Sequence, residues 1–127
     1  MKIIRLLSAI LLALPLLVFG GNYFFHFFPM PPGDGSTGAE LLQMMRDGGL
    51  MGSIAFSHIV IGILLLIPRT RTFGALMQLP LTIGIVFFHA TMQPAGLAVA
   101  VVMLLLNLVA AWDPERIQAL FASNRHN

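Results

Sequence analysis

A chain of 127 residues that is 57% hydrophobic and only 9% charged departs far from a soluble domain, in which about a quarter of the residues carry charge. It reads as a single domain, residues 1–127, that hides its apolar surface in a lipid bilayer. The absence of cysteine excludes disulfides, thiolate metal sites, iron–sulfur clusters and cysteine nucleophiles, and the scattered basic residues behind a net charge of +2 argue against nucleic acid as a partner.

A spanning helix needs about 20 mostly apolar residues, and the pattern predicts four, at 3–25, 50–67, 73–92 and 95–112. The first follows Lys2, passes Arg5 and runs into an aromatic cluster at 23–28, before Pro29, Pro31 and Pro32 bar any helix. An apolar stretch behind Lys2 and Arg5 would also suit a signal peptide. The polar Asn22 and His26 at its end, and the lack of a clear small-residue cleavage motif, favour a retained span. In the loop 29–48, Thr37 and Glu40 have capping-box spacing, so a short helix carrying Leu41, Leu42, Met44 and Met45 is expected over the outer face before Gly48. Gly48-Gly49 precedes the second span, Pro68-Arg69-Thr70-Arg71 separates it from the third, and Gln93-Pro94 turns tightly into the fourth. Pro15 and Pro80 lie within spans and are expected to kink them. Asp113 and Pro114 suit the cap and first turn of a last helix with Ile117, Leu120 and Phe121 on one face. The tail 113–127 is therefore expected to rest on the inner membrane surface and to fray from Ser123.

Short connections imply antiparallel neighbours, and the expected fold is an all-α, integral membrane four-helix bundle. Six of the seven basic residues, Lys2, Arg5, Arg69, Arg71, Arg116 and Arg125, fall on one side, with Arg46 alone on the other. The positive-inside rule then puts the N-terminus and the C-terminus in the cytoplasm, with Trp112 as an anchor at the inner interface. The localisation expected is a multi-pass protein of a bacterial inner membrane.

Spacings of three and four residues place side chains on one helix face, and each span carries a seam of small or polar residues. The seams are Ser8, Leu12, Pro15, Phe19, Asn22 and His26 in the first span, and Met51, Ala55, His58, Gly62 and Leu65 in the second. The third gives Gly74, Gln78, Thr82, Ile85 and His89, and the fourth Gly96, Ala100, Met103, Asn107 and Ala110. Such faces should point inward, where small residues allow close approach and polar ones bond across helices.

Gln78, Thr82, Asn107 and Ser8 read chiefly as interhelical links. A buried imidazole is costlier to explain as packing, so Asn22, His26, His58 and His89 are the candidate ligand-binding or proton-transfer residues. His126, near the chain end, carries no role. By helix rise, His26, Asn22 and His89 fall in the outer third and His58 near mid-membrane, which predicts a polar pocket with three imidazoles. Three chemistries suit it. Imidazole and amide groups can hydrogen-bond quinone oxygens and move protons, with Tyr23, Phe24 and Phe88 beside the ring. His26 and His89, roughly level, could ligate a haem iron. Three histidines could hold zinc or copper, though no carboxylate in the spans offers outer support. No residue stands out as catalytic. The opposing readings are a small-molecule or ion exporter, weakened because all five acidic residues lie outside the spans, and a non-catalytic anchor for a soluble partner.

The stretch Gly21-Asn22-Tyr23-Phe24-Phe25-His26-Phe27-Phe28-Pro29-Met30-Pro31, then Gly62-Ile63-Leu64-Leu65-Leu66, then His89 with Pro94-Ala95-Gly96, resembles the DoxX-like family over nearly the whole chain. The resemblance implies a four-helix membrane protein, and some members are membrane subunits of quinone-linked sulfur oxidation or of oxidative-stress redox complexes. By position Asn22, His26 and His89 match the family's polar motif residues. His58 stands where many relatives carry a carboxylate or glutamine, and Tyr23 where a basic residue is common. The expected function is thus a membrane subunit of a quinone-linked redox system, with a soluble redox partner or further copies of itself. His58 and His89 would be its hydrogen-bonding and proton-transfer groups, and Asn22 and His26 would complete the pocket. Quinone is preferred to haem as the bound group, and no metal is assigned.

Overall fold

A computed structural model describes residues 2–122, and the regular secondary structure among them is entirely helical. The elements are α1 (Lys2–Phe25), α2 (Thr37–Asp47), α3 (Leu50–Leu66), α4 (Arg71–Thr91), a 3-10 turn (Pro94–Gly96), α5 (Leu97–Ala111) and α6 (Pro114–Ala122). The expected fraying from Ser123, with Arg125 and His126, lies outside the described residues.

Three helical stretches, Lys2–Phe25, Arg71–Thr91 and Pro94–Ala111, are long and apolar enough to cross a membrane. The fourth candidate, α3, has 17 residues and rises about 25 Å, a little under the ~30 Å of a hydrocarbon core. It meets the same test only together with α2, from which it is bent by 84°. That bend turns on Gly49, whose φ of 86° is left-handed and would strain any residue with a Cβ.

The polypeptide breakers set the boundaries within a few residues of expectation. One local detail differs. The N-cap of α2 is Ser36, one residue before the expected Thr37, and its hydroxyl accepts from the Ala39 amide at 3.2 Å. The Asp34 carboxylate accepts from the Ser36 amide at 2.9 Å, and this turn holds Ser36 in the extended conformation that a cap requires. α1 and α4 run continuously through Pro15 and Pro80. The last helix matches expectation: Asp113 Oδ1 accepts from the Arg116 amide at 3.2 Å and Pro114 opens α6.

α1 packs on α3 and α5, and α4 packs on the same two. Antiparallel order brings the start of α1, the 68–70 turn and the α5–α6 junction together at one end, the terminal end. The aromatic cluster, α2 and the α4–α5 turn gather at the other, the loop end. Between them lies a core of small and branched residues, Ala9, Leu12, Ala13 and Leu16 of α1 against Ile61, Leu65, Ala75 and Ala110. Small residues bring the backbones close, as membrane helices require when lipid is as apolar as leucine. A Cβ on Gly62 would come within 2.7 Å of Leu17, and one on Gly74 within 2.9 Å of Leu64. Large apolar residues point outward instead: Phe87 is 65% and Val99 66% exposed, a pattern suited to lipid and not to water.

The predicted seams of α3, α4 and α5 face inward, with Ala55, Gly62, Leu65, Gly74, Gln78, Thr82, Ala100, Asn107 and Ala110 buried. In α1, Ser8, Leu12 and Asn22 are buried, but Phe19 and His26 are exposed. The inner face of α1 runs through Ala9, Ala13, Leu16 and Gly20 instead. At its end the helix stops at Phe25, and His26 takes a left-handed φ of 53°. This swings the imidazole off the face that helical spacing would give it.

Candidate functional site

The loop end contains a mainly apolar cavity of about 250 Å³ between α1, α2 and α3. Phe19, Tyr23, Met30, Leu42 and Met51 supply apolar wall, and Asn22, Arg46 and His58 supply polar groups. Two glycines shape it. A Cβ on Gly20 would sit 2.8 Å from the Ala55 carbonyl oxygen and 3.4 Å from His58 Cβ, so Gly20 lets α1 lie against α3 beside the imidazole. A Cβ on Gly52 would lie 3.1 Å from the Tyr23 hydroxyl, so that ring lies flush on α3. A second, wider cavity of about 680 Å³ shares Asn22, Tyr23, Met30 and Arg46 with the first and adds His26, Phe28 and Pro29. The two form one recess beneath the aromatic and proline-rich loop.

His58 is the distinctive group. Its Nε2 is buried and makes no hydrogen bond among the described residues. An unpaired buried polar atom costs about 1–3 kcal/mol, so the position is poorly explained by packing and well explained by a hydrogen-bonding visitor. Asn22 is 4% exposed, and its Oδ1 accepts from the Phe28 amide at 2.9 Å. That bond closes the end of α1 and holds the loop over the recess. Its amide nitrogen is uncommitted among the described residues and remains available as a donor.

The other two candidate imidazoles do not join His58 in the inner cavity. His26 lines only the outer cavity. His89 lines neither; its Nδ1 lies 3.1 Å from the Gln93 carbonyl oxygen and its ring packs directly on Gly96, where even a Cβ would collide with it. His89 therefore braces the tight α4–α5 turn. No group of three His, Asp or Glu side chains placed to hold a metal ion occurs among the described residues. The expected convergence of three imidazoles, and the zinc or copper site built on it, is corrected accordingly. His26 lies past the end of α1, where helical spacing no longer applies, and local turn chemistry claims His89.

Gln78, Thr82 and Asn107 make a separate link between α4 and α5. Gln78 donates to the Thr82 hydroxyl at 3.2 Å, Thr82 donates to Asn107 Oδ1 at 2.8 Å, and Asn107 Nδ2 donates to the Ala75 carbonyl at 2.8 Å. All three are fully buried, and the chain of bonds is of the kind that joins membrane helices. Gln78 Oε1 is left without a partner.

Arg46 was read from the sequence only as the single basic residue of the outer side, yet it lines both parts of the recess. Leu42 and Arg46, four apart on α2, share a face, and that spacing was the available signal. Arg46 donates to Gln43 at 3.1 Å, which steadies the guanidinium near the cavity mouth.

Comparison with protein-family models, curated proteins and solved structures returned no match.

Proposed function

We propose that this chain is a four-helix membrane protein of a bacterial inner membrane, with both termini cytoplasmic, that binds a quinone in the loop-end recess as the membrane subunit of a redox system. The observation that carries the reading is the unpaired, buried Nε2 of His58, a residue that lines a mainly apolar cavity. The recess lies in the outer leaflet under this orientation, which follows from the six basic residues of the terminal side against Arg46.

The residues suit such a ligand. At about 250 Å³ the inner cavity is just below the ~300–1,000 Å³ of ordinary small-molecule sites, room for one ring but not for its isoprenoid tail. The tail would leave through the lipid-facing side, where no desolvation opposes it. A bound quinone would supply two-electron, two-proton chemistry, its electrons coming from a partner redox protein. A neutral imidazole offers one donor and one acceptor, so His58 can hold a carbonyl oxygen and relay a proton at Nε2. Asn22 offers a second donor, and Arg46 at the mouth contributes a positive field that favours the electron-rich form. The resemblance to the DoxX-like family implies the four-helix fold first and a quinone-linked role only through some members, with His58 standing where many relatives carry a carboxylate or glutamine.

Equilibrium dialysis of the detergent-purified protein against a short-chain quinone analogue tests it. His58→Ala should weaken binding by about ten-fold, the worth of one hydrogen bond, and His58→Gln should restore part of it. Equal binding by wild type and His58→Ala would sink the proposal.

A further inference from the structure

The strongest feature outside the recess is at the terminal end, where four cations meet one carboxylate. A cavity of about 350 Å³ is lined by Lys2 and Arg5 of α1, Arg71 of α4, Arg116 of α6, the Asp113 carboxylate and Thr72. Four positive charges less one negative leave a net charge of +3. These side chains are held in place. Arg5 pairs with Asp113 at 2.7 Å and donates to the Trp112 carbonyl at 3.4 Å. Arg71 Nε donates to the Leu65 carbonyl at 2.9 Å, and Arg116 donates to the Arg69 carbonyl at 3.0 Å. Each arginine is thus oriented by a main-chain carbonyl that carries no formal charge; Asp113 also lies 3.6 Å from Arg116 Nε, and its single negative charge leaves three of the four positive charges uncompensated. The Lys2 ammonium makes no hydrogen bond or ion pair among the described residues, and neither does the hydroxyl of the buried Thr72. Preoriented guanidinium groups around one hollow match the geometry of a phosphate.

A second observation fixes the source of that phosphate. Arg5 also borders an apolar groove of about 370 Å³ on the outer surface, formed by Ile4, Leu108, Val109 and Trp112 between α1 and α5. A third hollow, lined by Lys2, Arg5, Arg116 and Trp112 together with the carboxylates of Asp113 and Glu115, shares Arg5 with both and keeps a net positive lining. Trp112 is 62% exposed and stands where charged hollow and apolar groove meet, the position interfacial tryptophans take at headgroup level. A free phosphate would use the hollow and ignore the groove, whereas a phospholipid uses both.

We propose that the terminal end binds an anionic glycerophospholipid, its phosphate among Lys2, Arg5, Arg71 and Arg116 and one acyl chain along the groove between α1 and α5. The inference rests on the membrane placement proposed above and not on the quinone reading. Basic hollows between membrane helices on the cytoplasmic side recognise anionic headgroups in this way.

The test uses the full chain in mild detergent, with lipid retention counted by native mass spectrometry across titrations of phosphatidylglycerol, phosphatidylcholine and inorganic phosphate. Phosphatidylglycerol should be retained in preference to phosphatidylcholine, and millimolar inorganic phosphate should not displace it. Lys2→Gln, which breaks no bond of the fold, should weaken retention about five-fold, and Lys2→Gln with Arg71→Gln about thirty-fold. His58→Gln should leave retention unchanged, which separates this site from the recess. Equal retention of the two lipids, displacement by inorganic phosphate, wild-type retention in the folded double variant, or an equal loss in His58→Gln would each overturn the proposal.

Discussion

Gly20 and Gly84 are both interior helix glycines, yet a Cβ would meet very different surroundings at the two sites. Alanine in place of helical glycine gains about 1 kcal/mol in intrinsic propensity. At Gly84 a Cβ would have no atom within 4 Å, so Gly84→Ala should keep that gain. At Gly20 it would come 2.8 Å from the Ala55 carbonyl oxygen and 3.0 Å from Ile59 Cγ1. The first is backbone, so α1 must move away from α3, and overpacking of this kind costs about 1–3 kcal/mol. Gly20→Ala should therefore lie about 1–3 kcal/mol below Gly84→Ala, with the shared propensity term cancelling in the difference. Reversible unfolding in mixed micelles of mild detergent and sodium dodecyl sulfate measures both. Because His58 lies beside Gly20, the same substitution should loosen the recess and lower quinone affinity, while Gly84→Ala leaves it alone. Equal stabilisation by the two alanines would refute the close approach of α1 to α3 and with it the shape of the recess.

His26 holds a left-handed φ of 53°, so His26→Gly should be neutral or stabilise by up to about 1 kcal/mol, whereas His26→Val should destabilise, as read by the same unfolding assay. The hydrogen bond from Arg5 holds the Asp113 carboxyl below the usual aspartate range, aided by the Arg116 amide and the charges of both arginines. Its contribution to stability is complete above the unfolded-state value and is lost as pH falls through the lower folded-state value. Melting temperature should thus fall on acidification below about pH 4, and Asp113→Asn should flatten that part of the profile; an unchanged slope in the variant would remove Asp113 from the acid response.

Helix ends were legible because they are written in backbone chemistry. The cluster Pro29, Pro31 and Pro32 and the single Pro68 fall just past helix ends, Gly49 supplies the left-handed bend, and Asp113 with Pro114 starts α6. The inward faces of α4 and α5 were legible as well, since Gly74, Gln78, Thr82, Ala100 and Asn107 repeat at helical spacing and no lipid-facing stripe would contain them. Helical periodicity alone does not place three side chains. His26 follows the last helical residue, and one left-handed φ moves it off the seam. Phe19 was placed inward by counting from Leu12, but the close approach at Gly20 and Ala13 turns the α1 contact face away from it. His89 does follow its seam, yet the turn beyond it offers the Gln93 carbonyl and claims the ring. At the terminal end the basic residues could be counted as a topology signal, but Lys2, Arg71 and Arg116 come together only through packing of α1, α4 and α6. No local spacing could place them around one hollow.

The central claim is that an unpaired His58 marks a quinone site, and the oxidised-minus-reduced ultraviolet and visible difference spectrum of protein purified in mild detergent tests it most directly. A quinone signal in the wild type that is strongly reduced in folded His58→Ala and retained in His89→Ala is the predicted result. A featureless spectrum from well-folded wild-type protein purified in mild detergent, or an undiminished signal in His58→Ala, would contradict it.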